Sequence, residues 1–255
     1  MECQTQCPEE VIMGELGWPR VVDEVHIKKL EYLDHWLSLP KDRWAKQIGR
    51  LSLFTPFAQR PAWWCEIESL LHGYELDLED RLADNNWARQ ARLRVKQVAE
   101  ELWRVNMKSK SSMQVYQLKS KIGLNPFLTG DSNSHLLLKF AVGDMSLDAR
   151  KQKWDAHNNP LCKLCLRAPE TESHMILSCL AYDEERQMFM ELIKAEWGDD
   201  DLARWQTLTE HAKLAYLLGL RDKQTEAQIR YVKAFLQAIW YKRLKHLEAR
   251  EKLLM

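Results

Sequence analysis

A chain of 255 residues that is 45% hydrophobic and 29% charged can bury a real core in one or two domains and has an ordinary globular composition. Its 9 Gly and 8 Pro are few, no alternating strand runs stand out, and the 11 Trp are expected to serve mostly as core anchors. Zero net charge excludes an obvious polyanion binder as a whole, yet the charge is blocked: −7 over residues 1–85, +7 over 86–125, −5 over 126–219 and +5 over 220–255. Such blocks are either nucleic-acid footprints or acidic and basic segments that pair inside the fold.

The opening MECQTQCPEE has no basic segment followed by an apolar one, and no apolar run nears the roughly 18 residues that a membrane span needs. The six cysteines read as thiols of a reducing compartment, cytoplasm or nucleus. Residues 1–20 look like a loose lead-in, where Cys3 and Cys7 have no second pair beside them to complete a metal site. A helix is expected over 22–39 with Val22, Val25, Leu30, Leu33, Trp36 and Leu37 as its apolar set, and Pro40 ends it. A shorter helix over 42–48, a proline-broken connection over 54–61, and a helix over 63–71 carrying a core thiol at Cys65 follow. Residues 75–84 form an acidic, solvated stretch.

The clearest periodicity lies over 87–107. Trp87, Ala91, Val95, Val98, Leu102 and Val105 fall within about 80° of one another on a helical wheel. Arg89, Arg92, Lys96 and Arg104 occupy the other side with Trp103 among them, an arrangement suited to the phosphates and bases of a single strand. The alternative is a solvated face on which Glu100 pairs with Lys96 and Arg104. Ser111 and Gln114 have capping-box spacing for a helix through Val115, Leu118 and Ile122. A domain boundary is expected between Asn125 and Ser134, which gives segments 1–130 and 131–255.

A buried helix over 135–142 closes at Gly143, and a basic approach follows: Arg150, Lys151, Lys153 and then Lys163, with Trp154 and His157 on the same run. Cys162, Cys165, His174 and Cys179 then read C-x2-C-x8-H-x4-C, three thiolates and an imidazole that complete a tetrahedral zinc site with no open position. Thr171 is a good N-cap for a short helix holding His174. On a continuous helix Cys179 would sit about 140° away from His174, so the helix must end or bend near Ser178. His157 is a rival ligand, but choosing it leaves the His174/Cys179 pair unexplained. Helices are expected over 181–196, 201–219 and 225–250, the last with a capping box at Thr225–Gln228. Asp199, Asp200 and Asp201 read as an acidic helix N-terminus rather than a catalytic metal site.

Gly143-x3-Leu147, Pro160-Leu161-Cys162-x2-Cys165-x4-Glu170-Thr171-x2-His174-x4-Cys179-x2-Tyr182-x3-Arg186 together resemble the zinc-binding segment that follows the polymerase domain in reverse transcriptases of non-LTR retrotransposons. The resemblance covers residues 140–189, and residues 14–39 are weakly similar to the helical region that precedes that segment. The family commonly has Gly after the second Cys, where this chain has Leu166. A left-handed backbone there would cost a leucine about 1 kcal/mol. No polymerase, endonuclease or RNase H carboxylate set is seen. The resemblance therefore implies a non-enzymatic module that helps to position RNA or DNA, whether a fragment of an RNA-directed DNA polymerase, a retrotransposon remnant or a host protein that kept the module.

The expectation is an all-α, multi-helix array with a small zinc-stabilised Cys3His insertion. It would be intracellular, hold structural Zn(2+) and bind RNA or DNA through Arg89, Arg92, Lys96, Trp103 and Arg104 or through Arg150, Lys151, Lys153 and Lys163. The other reading is a zinc-folded protein-interaction scaffold that binds no nucleic acid. Neither reading involves a membrane, and the oligomeric state stays open.

Overall fold

The computed structural model describes residues 8–56, 59–83, 86–110, 113–123, 132–220 and 225–254. Cys3, Cys7, Ser111 and the stretch Asn125–Gly130 lie outside them. The architecture is all-α: apart from one isolated bridge, Leu161 to Pro169, the regular structure of the described residues is helical. No helix among these residues is long and apolar enough to cross a membrane.

The chain divides into two compact units, Gly17–Asn106 and Met1–Leu16 with Met107–Met255, rather than at the boundary expected near residue 130. Backbone and side-chain bonds within the second unit explain the difference. Helix α1 (Glu9–Leu16), expected to be loose, buries Val11 and Met13. It is bonded to the segment after residue 113: Gly123 N–H donates to Gly14 O (3.3 Å), Tyr116 Oη to Val11 O (3.4 Å), and Lys119 pairs with buried Glu15 (3.2 Å). The helix expected over 115–122 is one 3-10 turn, Tyr116–Leu118, because the N–H groups that would continue it are used elsewhere. Ser120 donates to Leu220 O (3.2 Å) and Gly123 to Gly14 O.

The Gly17–Asn106 unit holds α2 (Val21–Ser38), α3 (Trp44–Phe54), α4 (Ala62–Gly73), α5 (Leu78–Ala83) and most of α6 (Trp87–Lys108). Its core combines Ile27, Leu30, Leu33 and Trp36 with Trp64, Ile67, Trp87, Ala91 and Val95. Trp36 and Trp64 meet edge to face at 5.4 Å, and Trp87 Nε1 donates to Asp77 O (2.9 Å). Val22 and Val25, placed in the apolar set by their spacing, are exposed, since the buried row runs through Asp23, Ile27, Leu30 and Leu33. Helix α3 turns its small residues inward: Trp36 Nε1 donates to Ala45 O (2.8 Å), and a Cβ on Gly49 would lie 2.2 Å from the Trp36 ring.

The second unit is built around α12 (Glu226–Leu254), which packs on α7 (Ser132–Val142) and α9 (Asp183–Glu196). Phe189 stacks on Phe235 at 4.6 Å, Phe140 meets Trp240 edge to face, and buried Lys233 donates to Ser134 Oγ (2.7 Å). The capping box at Thr225 and Gln228 forms in both directions at 3.1 Å. The helix expected over 201–219 is two, α10 (Asp199–Thr207) and α11 (Glu210–Leu217). Thr209 is extended and its Oγ1 accepts the Ala212 N–H (3.3 Å), which starts a new helix instead of continuing the old one.

Candidate metal centre

The first two cysteines sit on a tight turn closed by the Leu161–Pro169 bridge. Cys162 N–H donates to Ala168 O (2.9 Å) and Leu166 N–H to Cys162 O (2.8 Å). Closing the turn forces Leu166 to φ 58°, the left-handed conformation anticipated at that position, with its side chain in solvent. Backbone N–H groups converge on the sulfurs: those of Cys165 and Leu164 on Cys162, of Arg167 and Ala168 on Cys165, and of Ala181 on Cys179.

His174 and Cys179 come from the next turn. Thr171 Oγ1 accepts the His174 N–H (3.0 Å), as its capping role requires. Residues His174–Ser178 then form a π turn, in which Cys179 N–H donates to His174 O (2.7 Å). The wider i→i+5 turn brings Cys179 back over His174, and this resolves the angular conflict of a regular helix. Arg186 on α9 holds the end of the turn, with Nε on Ile176 O (3.0 Å) and Nη2 on Cys179 O (2.6 Å).

The four ligand atoms of Cys162, Cys165, His174 and Cys179 all lie within 4.8 Å of one another. Cys162 Sγ and Cys179 Sγ are 3.8 Å apart, and Cys165 Sγ is 3.2 Å from His174 Nε2. Two sulfurs about 2.3 Å from one tetrahedral ion would be about 3.8 Å apart, so the donor set fits a zinc-sized metal. His157, the rival, lies exposed outside this group in a turn with Asp155.

Burial pushes the Cys162 thiol up and Cys179 to about 12, whereas at Cys165 the Arg167 and Ala168 N–H donors and the Cys179 and Cys162 thiols outweigh burial and lower it. Burial, helped by Arg186, lowers His174 and keeps its imidazole neutral, the state a metal needs. Burial also raises the Tyr182 hydroxyl, and the neighbouring Cys162, Cys179 and Glu170 add to the shift.

Around the cluster stands a polar shell that sequence reasoning largely missed. Glu170 is fully buried and takes a two-pronged bond from Arg243 on α12, Nε to Oε1 at 2.8 Å and Nη2 to Oε2 at 2.7 Å. Its Oε2 also accepts the Asp148 N–H (3.0 Å) at the start of α8 (Asp148–Lys151). Asp148, likewise buried, pairs with Lys163 (3.0 Å). Glu170 belongs to the resemblance pattern, but its partner lies 73 residues away and no local spacing signals it.

The two candidate nucleic-acid faces come out differently. Trp103, expected among the α6 cations, is 2% exposed, while Leu102 and Val105 of the expected apolar stripe are in solvent. The buried row runs Trp87, Ala91, Val95, Ala99, Trp103, Met107 in steps of four, and each step turns it about 40° around the helix. A stripe of fixed direction therefore fails past Ala99. Arg92 pairs with Glu31 (2.5 Å) and Arg104 with Glu100 (2.7 Å), whereas Arg89 and Lys96 are exposed. On the approach to the metal turn, Arg150 pairs with Asp144 (2.9 Å) and Lys151 lies 3.7 Å from Asp148. Lys153 is exposed beside Trp154, itself 84% exposed.

Comparison of the chain with protein-family models, with curated proteins and with solved structures finds no match.

Proposed function

We propose that the protein is a non-enzymatic, zinc-stabilised module that binds single-stranded nucleic acid, as the resemblance to post-polymerase segments of non-LTR reverse transcriptases implies. The observation that carries this reading is the closed Cys3His cluster whose approach segment leaves Lys153 and Trp154 in solvent, a cation and a ring for a phosphate and a base. With four protein ligands the metal has no open position for a substrate, and its role is to fold residues 160–180. Arg167, in the cysteine turn, is a further exposed cation.

Fluorescence anisotropy of the zinc-loaded protein on labelled single-stranded RNA and DNA, at two salt concentrations, tests the proposal. Affinity should fall as salt rises, with a slope of about 0.7 for each phosphate contact, and the K153A/R167A pair should flatten it. No binding to either strand at low salt would refute it.

A second reading, a protein-interaction scaffold, has one observation in its favour. Trp44, Ile48, Leu51 and Phe54 on α3 are 60–82% exposed and lie along one side of that helix. Lys41, Arg43 and Arg50 flank this apolar ridge, so a protein partner would present an acidic rim. Unchanged partner binding by a W44S/L51S variant would remove that reading.

A further inference from the structure

Helix α3 is built inside out. Its small residues face the fold: Ala45 O accepts the Trp36 indole N–H (2.8 Å), and a Cβ on Gly49 would lie 2.2 Å from the Trp36 ring. Its large apolar residues face water, with Trp44 78%, Ile48 60%, Leu51 71% and Phe54 82% exposed. At 100° per residue these four fall within about 120° of one another, one continuous stripe. Two aromatic side chains of about 200 Å2 each, exposed to this degree, leave about 300 Å2 in water before Ile48 and Leu51 are added, which already matches the largest patch on many monomers. The charge beside the stripe has one sign. Lys41, Arg43 and Arg50 are exposed, with no ion pair seen among the described residues, and Asp42 is the one acid between residues 41 and 54. Lys46 turns the other way, its Nζ on Trp36 O (3.3 Å) and 4.9 Å from the Trp36 ring centre.

We infer that α3 docks in the plane of an anionic lipid surface, with the Trp44–Phe54 stripe at the boundary of headgroups and acyl chains and Lys41, Arg43 and Arg50 on the headgroup anions. Eleven residues make a helix about 16 Å long, far too short to span a bilayer, so the contact is in-plane. The choice of a lipid follows from shape and charge. A stripe that projects from a single helix needs either a matching groove or a surface without fixed shape. A protein partner must supply the groove and also set carboxylates opposite three fixed cations. A fluid anionic leaflet moulds to the stripe and presents negative charge along its whole length. Trp, Phe and Leu on one side with Lys and Arg beside them is the composition of interfacial helices. This helix belongs to the Gly17–Asn106 unit, which does not hold the Cys3His cluster, so the inference stands apart from the nucleic-acid reading. It gives the α3 ridge a lipid surface rather than a protein to cover it.

The test is co-sedimentation of the full chain, with zinc supplied, on sucrose-filled vesicles of phosphatidylcholine alone or with about 30% phosphatidylserine. Each cation near an anionic leaflet tightens binding about fivefold, so three cations should favour the phosphatidylserine vesicles by about a hundredfold, and R43A/R50A should weaken that binding about thirtyfold. W44S/L51S removes two apolar anchors and should weaken it by at least about thirtyfold. All four substituted side chains are exposed, so the loss does not depend on a damaged core. K153A/R167A, in the other unit, should leave vesicle binding unchanged. Equal binding to both kinds of vesicle overturns the inference, as does binding that survives W44S/L51S and is lost in K153A/R167A. Absence of binding to phosphatidylserine vesicles at low salt also overturns it and leaves the ridge to a protein partner.

Discussion

Removing the Glu170 carboxylate should be the most damaging single change near the metal that leaves every ligand in place. Arg243 is 3% exposed, makes two charged bonds to Glu170, and has its guanidinium 5.0 Å from the centre of the Trp240 ring. Its pKa is raised because Glu170 outweighs the cost of burial. In E170A that charge stays buried with a weaker bond to Ser146 O (3.3 Å), and the Asp148 N–H loses its acceptor. Breaking a buried pair from one side costs about 3–5 kcal/mol, whereas replacing both partners by apolar groups is often close to neutral. E170A and R243L are each expected to destabilise the unit that holds the Cys3His cluster by about 3–5 kcal/mol, and E170L/R243L by less than either alone. Hydrogen exchange of the α9 and α12 amides, with zinc content measured alongside, reads this unit separately from the other. Single variants within about 1 kcal/mol of wild type, or a double variant equal to the sum of the singles, would refute the coupling.

Three further outcomes are expected. L166G relieves a left-handed leucine at little packing cost, so it should strengthen zinc retention against a chelator by up to about 1 kcal/mol, and weaker retention would count against that turn geometry. Zinc binding must displace protons from the Cys162 and Cys179 thiols, which burial pushes up, so the apparent zinc constant should fall about a hundredfold or more from pH 7.5 to 6.5; a flat profile in a chelator competition would argue against thiolate ligation. G49A would drive a methyl group into the Trp36 ring, and despite alanine's better helix propensity it should destabilise α3 and its neighbours by about 1–3 kcal/mol, checked by urea unfolding followed by tryptophan fluorescence.

The Cys3His cluster was legible because metal ligation would impose short spacings, and the 140° conflict between His174 and Cys179 even announced the irregular turn that resolves it. Helices α2, α4, α6, α7, α9 and α12 were legible for a similar local reason: caps, prolines and apolar periods act within a few residues. What failed was set by distant partners. Trp103 turns inward because the buried row on α6 drifts around the helix, and the polar face inferred from a fixed wheel is therefore partly core. The break between α10 and α11 depends on one threonine capping the next turn, a signal that a continuous apolar period hides. Unit membership of α1 is carried by carbonyls at Val11 and Gly14 that no composition shift marks.

Charge accounting around the centre narrows what is left for a ligand. Three thiolates on a divalent ion carry −1, and buried Glu170 and Asp148 add −2. Arg243 lies on Glu170 and Lys163 on Asp148 and they offset these charges, while Arg186 pairs with Asp183 and Arg150 is held by Asp144. The basic approach that looked uniform in sequence thus separates into cations that balance the centre and cations that do not. Lys153 and Arg167, exposed and with no ion pair seen among the described residues, belong to the second group. Two phosphate contacts on a single strand give a salt slope of only about 1.4, so screening alone should weaken binding modestly. Tight binding would then have to come from the indole of Trp154 rather than from charge, and W154A should cost more affinity than K153A/R167A at 0.15 M salt. The reverse order would mean that phosphates displace Asp148 from Lys163 and Lys151 and recruit the cations now counted as structural.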